Sequence, residues 1–92
     1  MSLVKSNILK RKLGLPWQHI EGQALILNPE KHEAHELNEV ASFVWSELDG
    51  ETDLSTIISK IALEFEVIDE QVDTDIMGLA NSFIDLELAE CL

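Results

Sequence analysis

A-H-E-L-N-E-V-A-S-F-V-W-S-E-L-D-G, residues 34–50, is the stretch that decides the fold. Asn38 is a favourable N-cap, because its side-chain oxygen can accept a hydrogen bond from a free N–H group of the first helical turn. Apolar side chains then recur at helical spacing and give the helix one buried face: Val40, Ala41, Val44, Trp45 and Leu48. Asp49-Gly50 is predicted to end the helix, since Gly50 can take the left-handed position after it at little steric cost. Nothing in this stretch is typical of catalysis.

Three short strands are predicted before this helix. They span residues 17–21, 23–28 and 32–37, with a tight turn at Glu21-Gly22 and a second turn built on Pro29. Because the connections are short, the strands should form an antiparallel meander. Residues 1–15 mix basic and isolated apolar residues without a clear period. They are predicted to be a flexible N-terminal arm, with a short strand or turn near residues 8–13, and residues 16–92 to be one domain.

Two further helices are predicted in the second half. The first has Thr52 or Asp53 as its N-cap and an apolar stripe of Leu54, Ile57, Ile58, Ile61, Ala62 and Phe65. After a break at residues 66–68, Asp69 can cap the second, with Glu70 in its first turn, where a carboxylate suits the helix dipole.

The last helix carries two adjacent apolar stripes. One consists of Val72, Ile76, Leu79, Phe83 and Leu86, and the other of Met77, Ala80, Ile84 and Leu88. A surface helix of a small domain normally needs one apolar arc to dock on a core. The second stripe therefore lines a groove or an interface between copies, or else the helix is simply wrapped by its neighbours.

Composition narrows the classes of partner. The chain has 92 residues and a formal net charge of −12, which disfavours nucleic acids and anionic membrane surfaces. Its carboxylates are concentrated toward the C-terminus, where they could steer a basic segment of a partner, although solubility alone would account for them equally well. The single cysteine excludes an internal disulfide, and no apolar run is long enough to span a bilayer. Without a signal-peptide core, a cytoplasmic location is expected.

The only cluster that suggests a metal is His32-Glu33-Ala34-His35-Glu36. It is one residue short of the zinc-protease motif, in which the two histidines share a helix face. On a strand, residues three apart point to opposite faces, so both rings cannot reach one ion. Cys91 has no evident base partner, and there is no glycine-rich phosphate loop. The sequence thus predicts no catalytic residue, metal or cofactor.

A family resemblance rests on motifs in a fixed order from about Pro16 to the C-terminus. They are Leu27-Asn28-Pro29-Glu30 in the second turn, Leu37-Asn38 before the helix, Trp45 within it, Leu48-Asp49-Gly50 after it, and Leu54-x-x-Ile57-Ile58 in the next helix. With these motifs the chain resembles the PqqD family. It departs from the family at the end, where Ala89-Glu90-Cys91-Leu92 replaces a common Gly-Leu-like close.

The resemblance implies an α+β, winged-helix-like fold in which a three-stranded antiparallel sheet is followed by three α-helices. It also implies a non-catalytic peptide chaperone that binds the leader of a ribosomally made precursor peptide. Such a domain presents the precursor to a modifying enzyme, such as the radical-SAM protein of pyrroloquinoline quinone (PQQ) synthesis. Related domains serve lasso-peptide and other modified-peptide pathways, which stay open as alternatives.

In this family the leader adds as an antiparallel strand beside the third strand and packs on the third helix. The implied peptide-binding residues here are His32, Glu33, Ala34, His35, Glu36 and Leu37 on the strand, and Val72, Asp73, Asp75, Ile76, Leu79, Ala80 and Phe83 on the helix. An exposed strand edge suits this mode, because its backbone groups can hold a partner strand. The two aspartates could meet basic leader residues at the rim.

Three alternatives belong to other classes. A winged-helix DNA binder would share the fold but needs a basic recognition face, whereas these helices are acidic. A homodimeric interaction module would use the second stripe of the last helix, or an exchanged N-terminal arm, to pair with itself. A small metalloenzyme is the weakest alternative, because no complete ligand set is evident.

Overall fold

A computed structural model describes residues 3–67 and 69–92. Its elements, in chain order, are β1 (Ile8–Arg11), β2 (Trp17–Ile20), β3 (Gln23–Asn28), β4 (Glu33–Glu36), α1 (Glu39–Glu47), β5 (Asp49–Asp53), α2 (Leu54–Phe65), α3 (Asp69–Asp85) and β6 (Ala89–Cys91). The strands form two antiparallel sheets with the orders β5-β1-β6 and β2-β3-β4. The predicted α+β class with three helices is therefore confirmed.

The second sheet is the predicted meander. Leu25 of β3 lies opposite Gln18 of β2 and Glu36 of β4, so the three predicted strands pair in sequence order. The outer strands are slightly shorter than predicted: β2 ends before Glu21 and β4 begins after His32, because these two residues take left-handed backbone conformations in the turns, with φ of +52° and +55°.

The predicted order, three strands followed by three helices, is wrong because it omits the sheet β5-β1-β6. Its central strand, β1, lies in the segment predicted to be a flexible arm, where the sequence predicts a short strand or turn near residues 8–13 but no place in a sheet, and Leu9 within it is fully buried. Arg11 Nη1 donates to the carbonyl oxygens of Trp45 and Ser46 at 3.0 and 2.9 Å. A basic side chain of the supposed arm thus satisfies carbonyls at the C-terminus of α1.

The predicted caps of α1 and α2 are largely confirmed. Asn38 Oδ1 accepts from the N–H of Ala41 at 2.8 Å, and Asp53 Oδ1 accepts from the N–H of Thr56 at 2.9 Å. Gly50 has a φ of +80°, but it lies inside β5 rather than directly after the helix, because α1 ends at Glu47. The predicted break between the last two helices includes Ile68, which lies outside the described residues. The predicted roles of Asp69 and Glu70 depend on their side chains, which also lie outside the described part of the structure.

The core is centred on Trp45, which is fully buried and joins three elements. Its ring meets those of Trp17 and Phe83 edge-on, with centroids 5.9 and 5.4 Å apart. The line of α3 that packs on this core is Val72, Ile76, Ala80 and Phe83. The buried line thus contains residues from both predicted stripes. Partly exposed apolar residues flank it, with Leu79 and Leu86 on one side and Met77 and Ile84 on the other.

Candidate functional site

Strand β4 is an edge strand that pairs only with β3 in the described structure. The N–H of Leu37, directly after β4, donates to the carbonyl of Ala24 at 2.9 Å. Because backbone groups alternate in direction along an antiparallel strand, the N–H and C=O groups of Ala34 and Glu36 point away from β3. This open row of donors and acceptors is a template for a further strand.

A buried serine fixes the position of this edge. Ser42 of α1 is almost fully buried, and its hydroxyl accepts from the N–H of Ala24 at 2.7 Å and donates to the carbonyl of Leu37 at 3.2 Å. One side chain therefore ties α1 to β3 and to the end of β4. Since the Asn38 cap sets the start of α1, the helix and the strand edge are positioned together.

Two contacts place the ends of the segment 31–40, which contains β4, near opposite ends of α3. Lys31, just before β4, pairs with Glu87, just beyond α3, at 2.6 Å between Nζ and Oε2. At the other end, Val40 of α1 lines a cavity together with Asp75 and Ile76 from the first half of α3. We call the space between β4 and α3 the β4–α3 groove; the ion pair marks one end of it and the cavity marks the other.

The Lys31–Glu87 ion pair perturbs both groups. The hydrogen bond with Glu87 raises the pKa of Lys31 above its ordinary value, and the same hydrogen bond lowers the pKa of Glu87, with the charges of Lys31 and Lys12 adding to the effect. Both side chains are exposed, so water screens the ion pair and its contribution to stability is small. The pair nevertheless shows where the segment before β4 meets the end of α3.

The residues of β4 divide between two faces of the sheet. His35 lies opposite the buried Ile26 and shares its inward face; its side chain is 18% exposed, and its Nε2 is buried without a hydrogen-bond partner among the described residues. Ala34 and Glu36 are exposed on the opposite face. His32 lies in the turn before the strand, where its N–H donates to the carbonyl of Pro29. The described residues contain no cluster of three or more side chains suited to a metal.

The predicted residues of α3 also divide. Val72, Asp75 and Ile76 line the cavity at the end of the groove, and Leu79 lies one turn after Asp75 on the same flank. Ala80 and Phe83 are buried in the core. Asp73 lies on the other flank, in an ion pair with Lys5 of the N-terminal segment.

The chain matches the family model described as coenzyme PQQ synthesis protein D (PqqD) over residues 23–89. It belongs to the PqqD family. The matched range covers β3, β4 and all three helices, and so includes both elements of the groove. No curated protein sequence matches the chain significantly.

Solved structures share the fold of this PqqD-family chain. TbiB1, in complex with the TbiA(beta) leader peptide, superposes with a TM-score of 0.80 at 23% identity, over 88% of this chain and 94% of TbiB1. The heterocyclase TruD superposes with a TM-score of 0.63 at 18% identity, over 94% of this chain and 12% of TruD. Among the described residues, no helix is both long and apolar enough to cross a membrane.

The cavity at the end of the groove includes residues that the sequence analysis did not assign to a site. It has a volume of about 130 Å³, and besides Val72, Asp75 and Ile76 it is lined by Val40, Ile61, Phe65, Val67 and a further α3 residue, Gln71. Apolar periodicity identified Val40, Ile61 and Phe65 as helix-face residues. Their meeting around one cavity depends on how three helix ends pack, which periodicity does not specify.

Proposed function

We propose that this PqqD-family domain binds the leader of a ribosomally made precursor peptide as an additional antiparallel strand at β4. The domain itself is non-catalytic and cytoplasmic, and it presents the peptide to a modifying enzyme. The observation that carries this proposal is the open edge of Ala34 and Glu36 beside the apolar flank of α3. Backbone hydrogen bonds would hold the peptide, and side-chain pockets would select it.

The structural neighbours support this proposal at the level of fold. TbiB1 has a similar fold and was solved with a leader peptide, and TruD is a heterocyclase that contains a similar fold. The partner of this chain would accordingly be a peptide-modifying enzyme, with a radical-SAM protein and a heterocyclase as the two candidates. The product could be PQQ, a lasso peptide or another modified peptide.

The proposed groove keeps nine of the residues suggested by the sequence. They are Glu33, Ala34, His35, Glu36 and Leu37 from the β4 segment, and Val72, Asp75, Ile76 and Leu79 from α3. Of the other four, His32 is in a turn, Asp73 faces the N-terminal segment, and Ala80 and Phe83 are core residues that, unlike the similarly buried Val72 and Ile76, do not line the cavity. An apolar leader side chain would enter the cavity beside Val40, and a basic one would lie near Asp75.

The experiment that tests the proposal removes one backbone donor from each edge of the same sheet. Ala34→Pro deletes an N–H that points outward from β4, and His19→Pro deletes the equivalent outward N–H of β2. Isotope-labelled protein is titrated with the leader of the precursor encoded beside its gene. We expect micromolar or tighter binding, with amide shifts along β4 and one flank of α3. Ala34→Pro should weaken binding by at least about tenfold.

His19→Pro should bind the leader as the unchanged protein does. Equal weakening by the two prolines would contradict strand addition at β4. A homodimeric module would behave differently: sizing chromatography without peptide would show a dimer at high concentration, and Ala34→Pro would make it a monomer.

A further inference from the structure

A second cavity lies at the opposite end of the groove from the apolar one. It has a volume of about 310 Å³ and is formed where residues 12–15, the turn between β3 and β4, and Glu87 meet. Its wall includes Asn28 and Pro29, which belong to the motif Leu27-Asn28-Pro29-Glu30.

Asn28 is the unusual group in this wall. It is the last residue of β3 and is only 6% exposed. Its backbone carbonyl accepts from the N–H of Lys31, but its side-chain amide makes no hydrogen bond to another described residue. The buried side-chain atoms without a hydrogen-bond partner among the described residues are His35 Nε2 and Trp45 Nε1, so the Asn28 amide is accessible from the cavity, where a carboxamide can donate and accept at once. Asn28 is therefore suited to a ligand that does both.

The charged residues around Asn28 do not select for a charged ligand. Two basic residues, Lys12 and Lys31, and two acidic ones, Glu30 and Glu87, line the cavity. A charged ligand would leave this balance uneven, whereas a neutral group with a donor and an acceptor could use both signs. Leu13, Leu15 and Pro29 complete the wall and can contact the carbon atoms of such a side chain.

The cavity lies on the course of the proposed leader. Lys31 and Glu87 line it and also close one end of the β4–α3 groove with their ion pair. A peptide strand beside β4 would pass this pair as it leaves Glu33. A side chain next to the strand could then reach over the pair into the cavity.

We propose that this cavity receives an asparagine or glutamine side chain of the bound leader, whose carboxamide pairs with that of Asn28. This inference rests on the proposed function, since it requires a peptide at β4. It adds a residue-type preference at one position of the leader, at the opposite end of the groove from the apolar cavity.

The test selects peptides from a phage-displayed library of random sequences long enough to span β4. The full chain is used in four forms: unchanged, Asn28→Leu, Asn28→Asp and Ala34→Pro. Leucine has nearly the shape of asparagine without its polar atoms, and aspartate keeps the acceptors but loses the donors. Thermal melts establish that each form is folded, and the aspartate form serves if the leucine form is not.

We expect the unchanged protein to enrich peptides with Asn or Gln at one fixed position. Selection on Asn28→Leu or Asn28→Asp should lose that preference and keep the rest of the motif. For one selected peptide, replacing that residue by Leu should weaken binding by about tenfold on the unchanged protein and hardly at all on Asn28→Leu.

Two outcomes would overturn the inference, and they are distinguishable. Peptides that depend on Ala34 but show no Asn or Gln preference, or keep it on Asn28→Leu, would remove the role of Asn28 and leave the proposed function standing. Peptides that bind Ala34→Pro as well as the unchanged protein, or no enrichment at all, would contradict strand addition and the inference with it.

Discussion

At the scale of single residues, Asn38 has an effect beyond its own hydrogen bond. Its side chain caps α1 by accepting from the N–H of Ala41. Ser42, whose hydroxyl holds the end of β4, lies one helical turn after Asn38. We expect Asn38→Ala to lower the free energy of unfolding by about 1 kcal/mol, because it leaves a first-turn N–H without its partner. Asn38→Ser should change it little, since serine also caps. Urea denaturation of both variants measures the difference, and equal stability of the two would contradict the capping role.

The cap of α2 gives a prediction about pH. Hydrogen bonds from the hydroxyl and the N–H of Thr56 hold the pKa of Asp53 below its ordinary value of 3.8. A lowered pKa in the folded state means that ionised Asp53 stabilises the fold. That contribution is present above about pH 4 and is lost as the pH falls through the lowered pKa.

Asp53→Asn is the matched variant, because asparagine also caps a helix but does not titrate. Its melting temperature should fall less between neutral and acidic pH than that of the unchanged protein. Asp85→Asn, which removes an exposed carboxyl at the end of α3, is the control and should leave the acid profile nearly unchanged. The prediction is wrong if the two variants have the same acid profile.

At the scale of elements, the largest difference between the structure and the sequence-based prediction is the N-terminal strand β1, which belongs to a sheet and not to a flexible arm. Leu9 of β1 is fully buried between β5 and β6, whereas Leu13, four residues later, is 80% exposed. Leu9→Ala should lower the free energy of unfolding by about 2–5 kcal/mol, as deletion of a buried leucine side chain does. Leu13→Ala, the same change in the same predicted arm, should be nearly neutral. Guanidinium denaturation distinguishes the two, and a neutral Leu9→Ala would favour the flexible arm.

Helix α3 shows how far periodicity alone reaches. Its apolar spacing correctly predicts a helix with more apolar surface than one buried face requires. It does not predict which line is buried, because Leu79 belongs to one predicted stripe and Ala80, the next residue, to the other, and only packing on Trp45 and its neighbours decides between them. Ile76→Glu, a natural test of the groove from sequence, would place a carboxylate at a site that is 1% exposed, and would test folding instead.

At the scale of the whole molecule, the sequence predicts what is local and misses what is distant. The meander and the helix caps depend on residues a few positions apart, and they are found largely where expected. The sheet β5-β1-β6 pairs Lys10 with Asp49 and Leu9 with Cys91. No local pattern specifies such pairs, since β1 has one fully buried residue and β5 is mostly polar. The position of the proposed site follows from the family resemblance, and the choice of its residues on α3 depends on how that helix packs.

The net charge of the molecule gives the last prediction, which concerns rates. With a net charge of −12 and with Asp75 and Glu36 beside the groove, the domain should attract a basic leader over a distance. Added salt should therefore lower the association rate severalfold and change the dissociation rate much less. Asp75→Asn should reduce this salt dependence more than Glu51→Gln, which removes an equal charge from β5 in the other sheet. Stopped-flow binding at low and high salt measures both rates. An equal effect of the two variants would mean that only the total charge matters, whereas a larger effect of Asp75→Asn would place the steering at the groove.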